Sequence, residues 1–172
     1  MVSGLEYKMA RVPGTNAWIE HFNNFIEGEL SEPWSLNFRY DIVDKLDDRQ
    51  RANDWKIYKT SAFGRFNCRC SHSWCSARVN IVFHYRRKQQ RGSVLLRPFR
   101  QQCRDCKNPL WLKPRVNSTE MDQVFGRLIV KILKNCYNVS DVDDRDRSLK
   151  PRRTSPHEKD LCEACILGIC SL

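Results

Sequence analysis

The residues of this chain best equipped for chemistry are its nine cysteines and four histidines. Their spacing narrows the chemistry to metal binding. Cysteines recur in close pairs: Cys68/Cys70 in "FNCRC", Cys103/Cys106 in "CRDC" and Cys162/Cys165 in "CEAC", with Cys170 after the last pair and His157 before it. A C-x-x-C turn aims two thiolates at one ion, and tetrahedral Zn²⁺ takes four ligands. An odd count in tight pairs fits metal ligation better than a disulfide framework. Two structural Zn²⁺ ions are therefore expected. Cys68, Cys70, Cys103 and Cys106 would hold one. Cys162, Cys165 and Cys170 would hold the other, with His157 or Cys136 as fourth ligand. Gly168 would let the backbone turn so that Cys170 reaches that ion. Spacing leaves open a crossed pairing in which Cys162/Cys165 joins Cys68/Cys70. Cys75 stands at a workable spacing but reads as a non-ligand. Cys136 also fits a buried small hydrophobe. His21, His72 and His84 read as helix-face or strand residues rather than ligands.

Nothing else in the chain assembles a catalytic constellation. There is no H-x-E of the deaminase type, no H-E-x-x-H, no Ser/His/Asp arrangement and no glycine-rich phosphate loop. Glu163 lies between two candidate ligands and reads as solvent-facing. The expectation is a protein that is not an enzyme and has no small-molecule substrate.

The elements that must position these ligands are legible in outline. Residues 15–31 read as an amphipathic helix with Trp18, Phe22, Phe25, Ile26 and Leu30 on one face, capped by Thr15 or Asn16. "SLNFRYDIV" reads as a possible strand and "DDRQRAND" as a polar loop. "SARVNIVFHYRR" alternates, and with "VLLRPFRQQC" it reads as a β-hairpin turning at "KQQRGS", Gly92 included. Val79, Ile81, Phe83 and Tyr85 would face the core, leaving a basic outer face. Residues 118–137 form the clearest helix, an apolar stripe from Val124 to Cys136 capped by Ser118 or Thr119. The fold class is α+β: a small zinc-stabilised domain with an antiparallel β-hairpin or sheet, an N-terminal amphipathic helix and a long helix near 119–136. Residues 1–50 read as a helical segment packing on the core, 51–170 as the zinc-binding domain, and 140–156 as a flexible charged linker.

The net charge of +10 is concentrated. Arg65 to Arg115 holds 13 Lys and Arg against one acid, Asp105. Such a stretch favours an anionic partner: RNA, an acidic membrane surface or an acidic protein segment. Arg78, Arg86, Arg87, Lys88, Arg91, Arg97 and Arg100 would form the patch on the outer face of the hairpin. The first residues lack a secretory h-region, and no apolar run reaches membrane-spanning length. The expectation is a cytoplasmic chain with reduced thiols.

The order of motifs, "GRFNCRCSHSWCSARVNIVFHYR", "RPFRQQCRDC", "NCYNV" and "HEKDLCEACILGIC", resembles the 3CxxC-type zinc-binding domain of the receptor-transporting proteins. The first pair is C-x-C here, where the family pattern has C-x-x-C. The resemblance implies a zinc-dependent accessory protein that helps seven-helix odorant and bitter-taste receptors reach the cell surface. It also implies association with membranes through those partners; many family members carry a C-terminal membrane-spanning segment. One branch is antiviral and linked to viral RNA. Carried over by position, the ligands are Cys68, Cys70, Cys103, Cys106, Cys162 and Cys165, with Cys136, His157 and Cys170 as further motif positions.

Overall fold

The structure, a computed structural model, describes residues 14–142, 153–155 and 157–170. Most of the expected linker, 140–156, lies outside the described residues, as do the first 13 residues. The fold is α+β, built on one four-stranded mixed sheet in the order β1-β4-β3-β2. The elements run α1 (Thr15–Glu27), β1 (Trp34–Phe38), α2 (Asp48–Ala52), β2 (Lys56–Asn67), β3 (Ser73–Lys88), β4 (Arg91–Pro98), α3 (Ser118–Tyr137), a 3₁₀ turn (Lys159–Leu161) and α4 (Glu163–Ile166). β2, β3 and β4 form an antiparallel meander. β1 adds to the free edge of β4 in parallel, Trp34 beside Gly92. Among the described residues no helix is long and apolar enough to cross a membrane.

The alternation of β3 does place Val79, Ile81, Phe83 and Tyr85 on one core face. They meet Trp18 and Phe22 of α1 and Val124, Phe125, Leu128 and Ile132 of α3. Trp18 and Phe22 both pack edge-on against Phe125. The opposite face is buried too. Asn80, Val82 and His84 are each at most 6% exposed. Val82 lies in a second apolar cluster with Ile42, Phe99, Cys162, Ala164 and Ile169. The expected basic outer face is therefore covered: the loop after β1 and the terminal segment pack over it. Strands buried on both sides carry apolar residues at both parities, which is why Val82 interrupts the alternation.

Several local details differ from expectation. α1 is preceded by Gly14 with no side-chain cap; Thr15 and Asn16 are already helical. α3 is capped one residue earlier than expected, by Asn117, whose Oδ1 accepts from Glu120 N at 2.9 Å. The polar stretch at 47–52 is not a loop but α2, closed by a capping box between Asp47 and Gln50. β2 is irregular between Ala62 and Gly64. There the buried Glu120 carboxylate accepts from Phe63 N at 3.0 Å, so α3 supplies an acceptor for the bulge.

The β3–β4 turn is made by Gln89 and Gln90, with φ of 51° and 59°. A two-residue type I′ turn needs positive φ at both positions, and glutamine supplies no preference for it. Gly92 is instead a strand residue under the Trp34 indole. A Cβ there would sit 1.7 Å from the Trp34 ring. Gly92→Ala must displace Trp34, whose Nε1 also donates to Tyr137 Oη at 3.0 Å. The expected loss is about 3 kcal/mol, read as a lower urea midpoint. Gly126→Ala is the matched control. Its Cβ would meet only Phe25 at 3.6 Å, and an alanine inside α3 should gain up to about 1 kcal/mol.

Candidate metal centres

β2 ends at Asn67 and β3 begins at Ser73, so Cys68 and Cys70 sit in the connection between them. Cys68 N donates to His72 O at 2.9 Å, and Ser71 takes φ +71° to close the turn. The second knuckle, Cys103–Cys106, follows the end of β4. Its approach is fixed by paired backbone hydrogen bonds between Gln101 and Leu112. The two knuckles meet. Cys68 Sγ lies 3.5 Å from Cys106 Sγ, and Cys70 Sγ 3.6 Å from Cys103 Sγ. All four sulfur atoms fall within 4.8 Å of one another. Zn–S bonds of about 2.3 Å in a tetrahedron put sulfurs about 3.8 Å apart, so this cage is the right size for zinc. His72 of the first knuckle also reaches Asp105 of the second, Nδ1 to Oδ2 at 3.1 Å.

The thiols themselves point to a cation. The Cys70 backbone N–H, aided by the neighbouring thiols, brings Cys68 down to about 7. Cys106 is pushed up to about 12, chiefly by Cys68 and Cys70. Cys68 gives up its proton easily while Cys106 resists, because a second thiolate beside the first packs like charges together. A divalent cation held by Cys68, Cys70, Cys103 and Cys106 would favour the thiolate form of all four.

The second group is His157, Cys162, Cys165 and Cys170, again with ligand atoms within 4.8 Å of one another. His157 Nε2 lies 3.0 Å from Cys165 Sγ and 3.7 Å from Cys170 Sγ. Cys162 opens α4 and Cys165 lies within it. Gly168, at φ +68°, then reverses the chain, and Ile169 N and Cys170 N both donate to Ala164 O at 2.8 and 3.1 Å. Burial pushes the Cys165 thiol up to about 12, with the Cys170 thiol adding to it. The buried Asn80 Nδ2 donates to Cys170 Sγ at 3.2 Å, a hydrogen bond of the kind that orients a ligand from outside the metal's own shell.

The structure brings together eight of the nine sequence-predicted ligand candidates, in two groups of four that could each hold a zinc ion. Cys136 is not among them. It sits on α3 and packs against the main apolar cluster. The knuckles pair Cys68/Cys70 with Cys103/Cys106, so the crossed arrangement does not occur. Cys75 is exposed on β3, opposite Arg65. His84 is buried on β3, and its Nε2 lies 2.7 Å from Val43 O.

Glu163 corrects the sequence reading most sharply. It is 7% exposed, not solvent-facing. Its Oε1 accepts from Arg97 at 2.8 Å and from Arg100 at 2.7 Å, and its Oε2 accepts from Arg100 N at 2.9 Å. Burial alone would raise its pKa. Donors from Arg100 and Arg97 outweigh burial and leave the carboxyl below its ordinary value. Arg97, 5% exposed, also donates to Ile42 O at 2.7 Å. The seven-residue patch is thereby broken up. Arg97 and Arg100 hold Glu163, Arg87 is a two-point partner of Glu32, and Arg86 lies over the Trp55 ring at 4.6 Å. Arg78, Lys88 and Arg91 remain exposed. No periodicity in the sequence signals Glu163. The nearest hint is two arginines and one acid at apolar strand and knuckle positions.

One segment serves both centres. Arg97 and Arg100 fix Glu163 beside the second centre, while Cys103 and Cys106 belong to the first. Between them, Gln101 bridges Cys162, and Gln102 N donates to Leu161 O at 2.8 Å.

Comparison with known proteins agrees with this geometry. A family model described as a zinc-binding domain of the 3CxxC zinc-ribbon type matches residues 61–168, ending two residues before Cys170. The chain is 37% identical over 122 residues to receptor-transporting protein 3 of Mus musculus, covering 68% of this chain and 26% of that protein. It is 31% identical over 160 residues to receptor-transporting protein 4 of Homo sapiens, covering 89% and 63%. With receptor-transporting protein 2 of Mus musculus it shares 33% over 161 residues, covering 90% and 70%. The chain thus spans about a quarter of the first of these relatives and somewhat under two thirds of the second. No solved structure matches it. The zinc-binding model and the extent of these matches together establish that the chain belongs to the receptor-transporting protein family.

Proposed function

We propose that this chain is a zinc-stabilised accessory protein that binds seven-helix receptors of the odorant or bitter-taste type and promotes their targeting to the cell surface. The observation that carries this reading is its membership of a family whose members are named for receptor transport. The zinc ions serve architecture: each four-ligand set is closed, with no position left for a substrate. The protein is not an enzyme on this reading. It works in the cytoplasm and reaches membranes through the receptors it holds.

Co-expression tests the proposal. A tagged odorant or bitter-taste receptor is expressed with and without the chain, and surface receptor is labelled on intact cells. Surface signal should rise severalfold at equal total receptor, and the chain should co-precipitate with the receptor. Cys103→Ser, which removes a buried ligand, should abolish both. No rise and no co-precipitation would sink the reading.

An RNA-binding role gains little from the surface expected to carry it. Phe83, Tyr85 and Phe99, the rings that would stack on bases, are each at most 2% exposed.

A further inference from the structure

A different cationic surface exists at the knuckle end of the sheet. Arg65 and Arg115 face each other across an antiparallel bridge, with N···O distances of 2.9 and 2.8 Å in the two directions. Residues paired in this way project to the same face, and both arginines are exposed, with Arg65 Nη2 donating to Ser73 Oγ at 3.3 Å. Like charges directly opposite one another cost stability. Arg69 lies inside the first knuckle and Arg104 inside the second, with Lys107 immediately after it; all three are exposed. Convergence of the four sulfurs gathers these groups at one end of the molecule. Asp105, the single acid between Arg65 and Arg115 in the sequence, is engaged by His72 at 3.1 Å and Arg104 at 3.5 Å. A tetrathiolate zinc centre is itself a dianion. Five cations exceed what that centre and Asp105 neutralise.

The same end carries an apolar tip. Leu110, in the loop leaving the second knuckle, is 65% exposed, the highest value among the large exposed hydrophobics of the described residues. That loop is tied down by Gln102 Nε2 donating to Pro109 O at 3.2 Å. An exposed leucine beside clustered Lys and Arg is the chemistry of a water–lipid boundary, where the apolar tip enters the interface and the cations meet lipid phosphates. A single-stranded nucleic acid would call for exposed rings. Here Trp74 is instead stacked between Phe66 and His72, each at 5.3 Å.

We propose that the first zinc knuckle pair, with Arg65, Arg69, Arg104, Lys107, Arg115 and the Leu110 tip, is a docking surface for an anionic lipid leaflet. The zinc centre holds the two halves of the surface together. The role is separate from receptor binding and stands or falls independently of it.

Vesicle flotation with the zinc-loaded full chain tests this. Vesicles of phosphatidylcholine alone are compared with vesicles containing about one third phosphatidylserine, at low and high salt. Binding should require phosphatidylserine and fall steeply with salt. The double variant R69E/K107E alters no ligand and should weaken binding by roughly tenfold or more. Leu110→Ser should remove the part that survives salt. K88E/R91E, at the far end of the hairpin, should bind like wild type. Zinc content and far-UV spectra establish that each variant is folded. Equal binding to both vesicle types, insensitivity to R69E/K107E, or RNA binding by the same residues with no vesicle binding would each overturn the proposal.

Discussion

Removing zinc should abolish the cooperative unfolding transition of this protein. Structural zinc sites in small domains contribute on the order of 10 kcal/mol of folding free energy, comparable to the whole stability of a domain this size. The dependence is expected from the structure. The first centre joins the β2–β3 connection to the segment after β4. The second closes the terminal segment over Val82 and Phe99. Without metal, nothing draws the four ligands of each group together, and the segments they fasten lose their attachment. Elemental analysis should find two Zn per chain. Treatment with a strong chelator should then flatten the near-ultraviolet circular dichroism and the thermal transition, and added Zn²⁺ should restore both. An unchanged melting curve after chelation would refute the structural role of the ions.

Glu163→Gln should be the most damaging substitution outside the ligands. It leaves Arg97 buried with no carboxylate, and breaking a buried charged pair costs about 3–5 kcal/mol. Arg100, whose side chain is 30% exposed, recovers part of its loss from water. The pH dependence has a fixed sign. Glu163 is depressed below its ordinary 4.5 in the folded protein. Its contribution is therefore complete above that ordinary value and is lost as pH falls through the depressed one. Denaturant titrations should show a wide gap between wild type and E163Q at pH 7. The gap should close in acid as the wild-type carboxyl is protonated. A gap independent of pH, or absent at pH 7, would mean that Glu163 carries no such charge interaction.

The metal centres were legible in the sequence because ligand geometry is mostly local. A knuckle of a few residues places two sulfurs whatever the rest of the chain does, and Gly168 announces the return to Cys170. The helices were legible for a similar reason, since an apolar stripe repeats many times within α3. Misreadings arose where long-range packing decides. Arg97 is expected in the basic patch of the hairpin's outer face, and it does lie on that face beside Val82; that the face is covered depends on a segment more than 60 positions later. Glu163 reads as exposed by residue type alone, and only Arg97 and Arg100 make it a buried ion. His157 and Cys136 had equal claim as ligands by spacing, and the packing of α3 against the sheet separates them. The Asp47/Gln50 capping box was present in the letters, yet five helical residues carry no periodicity to draw attention to it. β1 does form at the start of the stretch read as a possible strand, but its partner lies more than 50 positions away and is not legible locally.

The stretch from Arg97 to Cys106 has a consequence for metal loading. A strap bonded on one side to the terminal segment and on the other to the second knuckle's loop cannot be set at one end without being partly set at the other. Filling either cage therefore prepays some of the ordering that its neighbour needs, and the second ion should enter more tightly than the first. By reciprocity, a cell that withdraws one ion loosens its grip on both, and half-loaded protein should be a scarce species at any zinc supply.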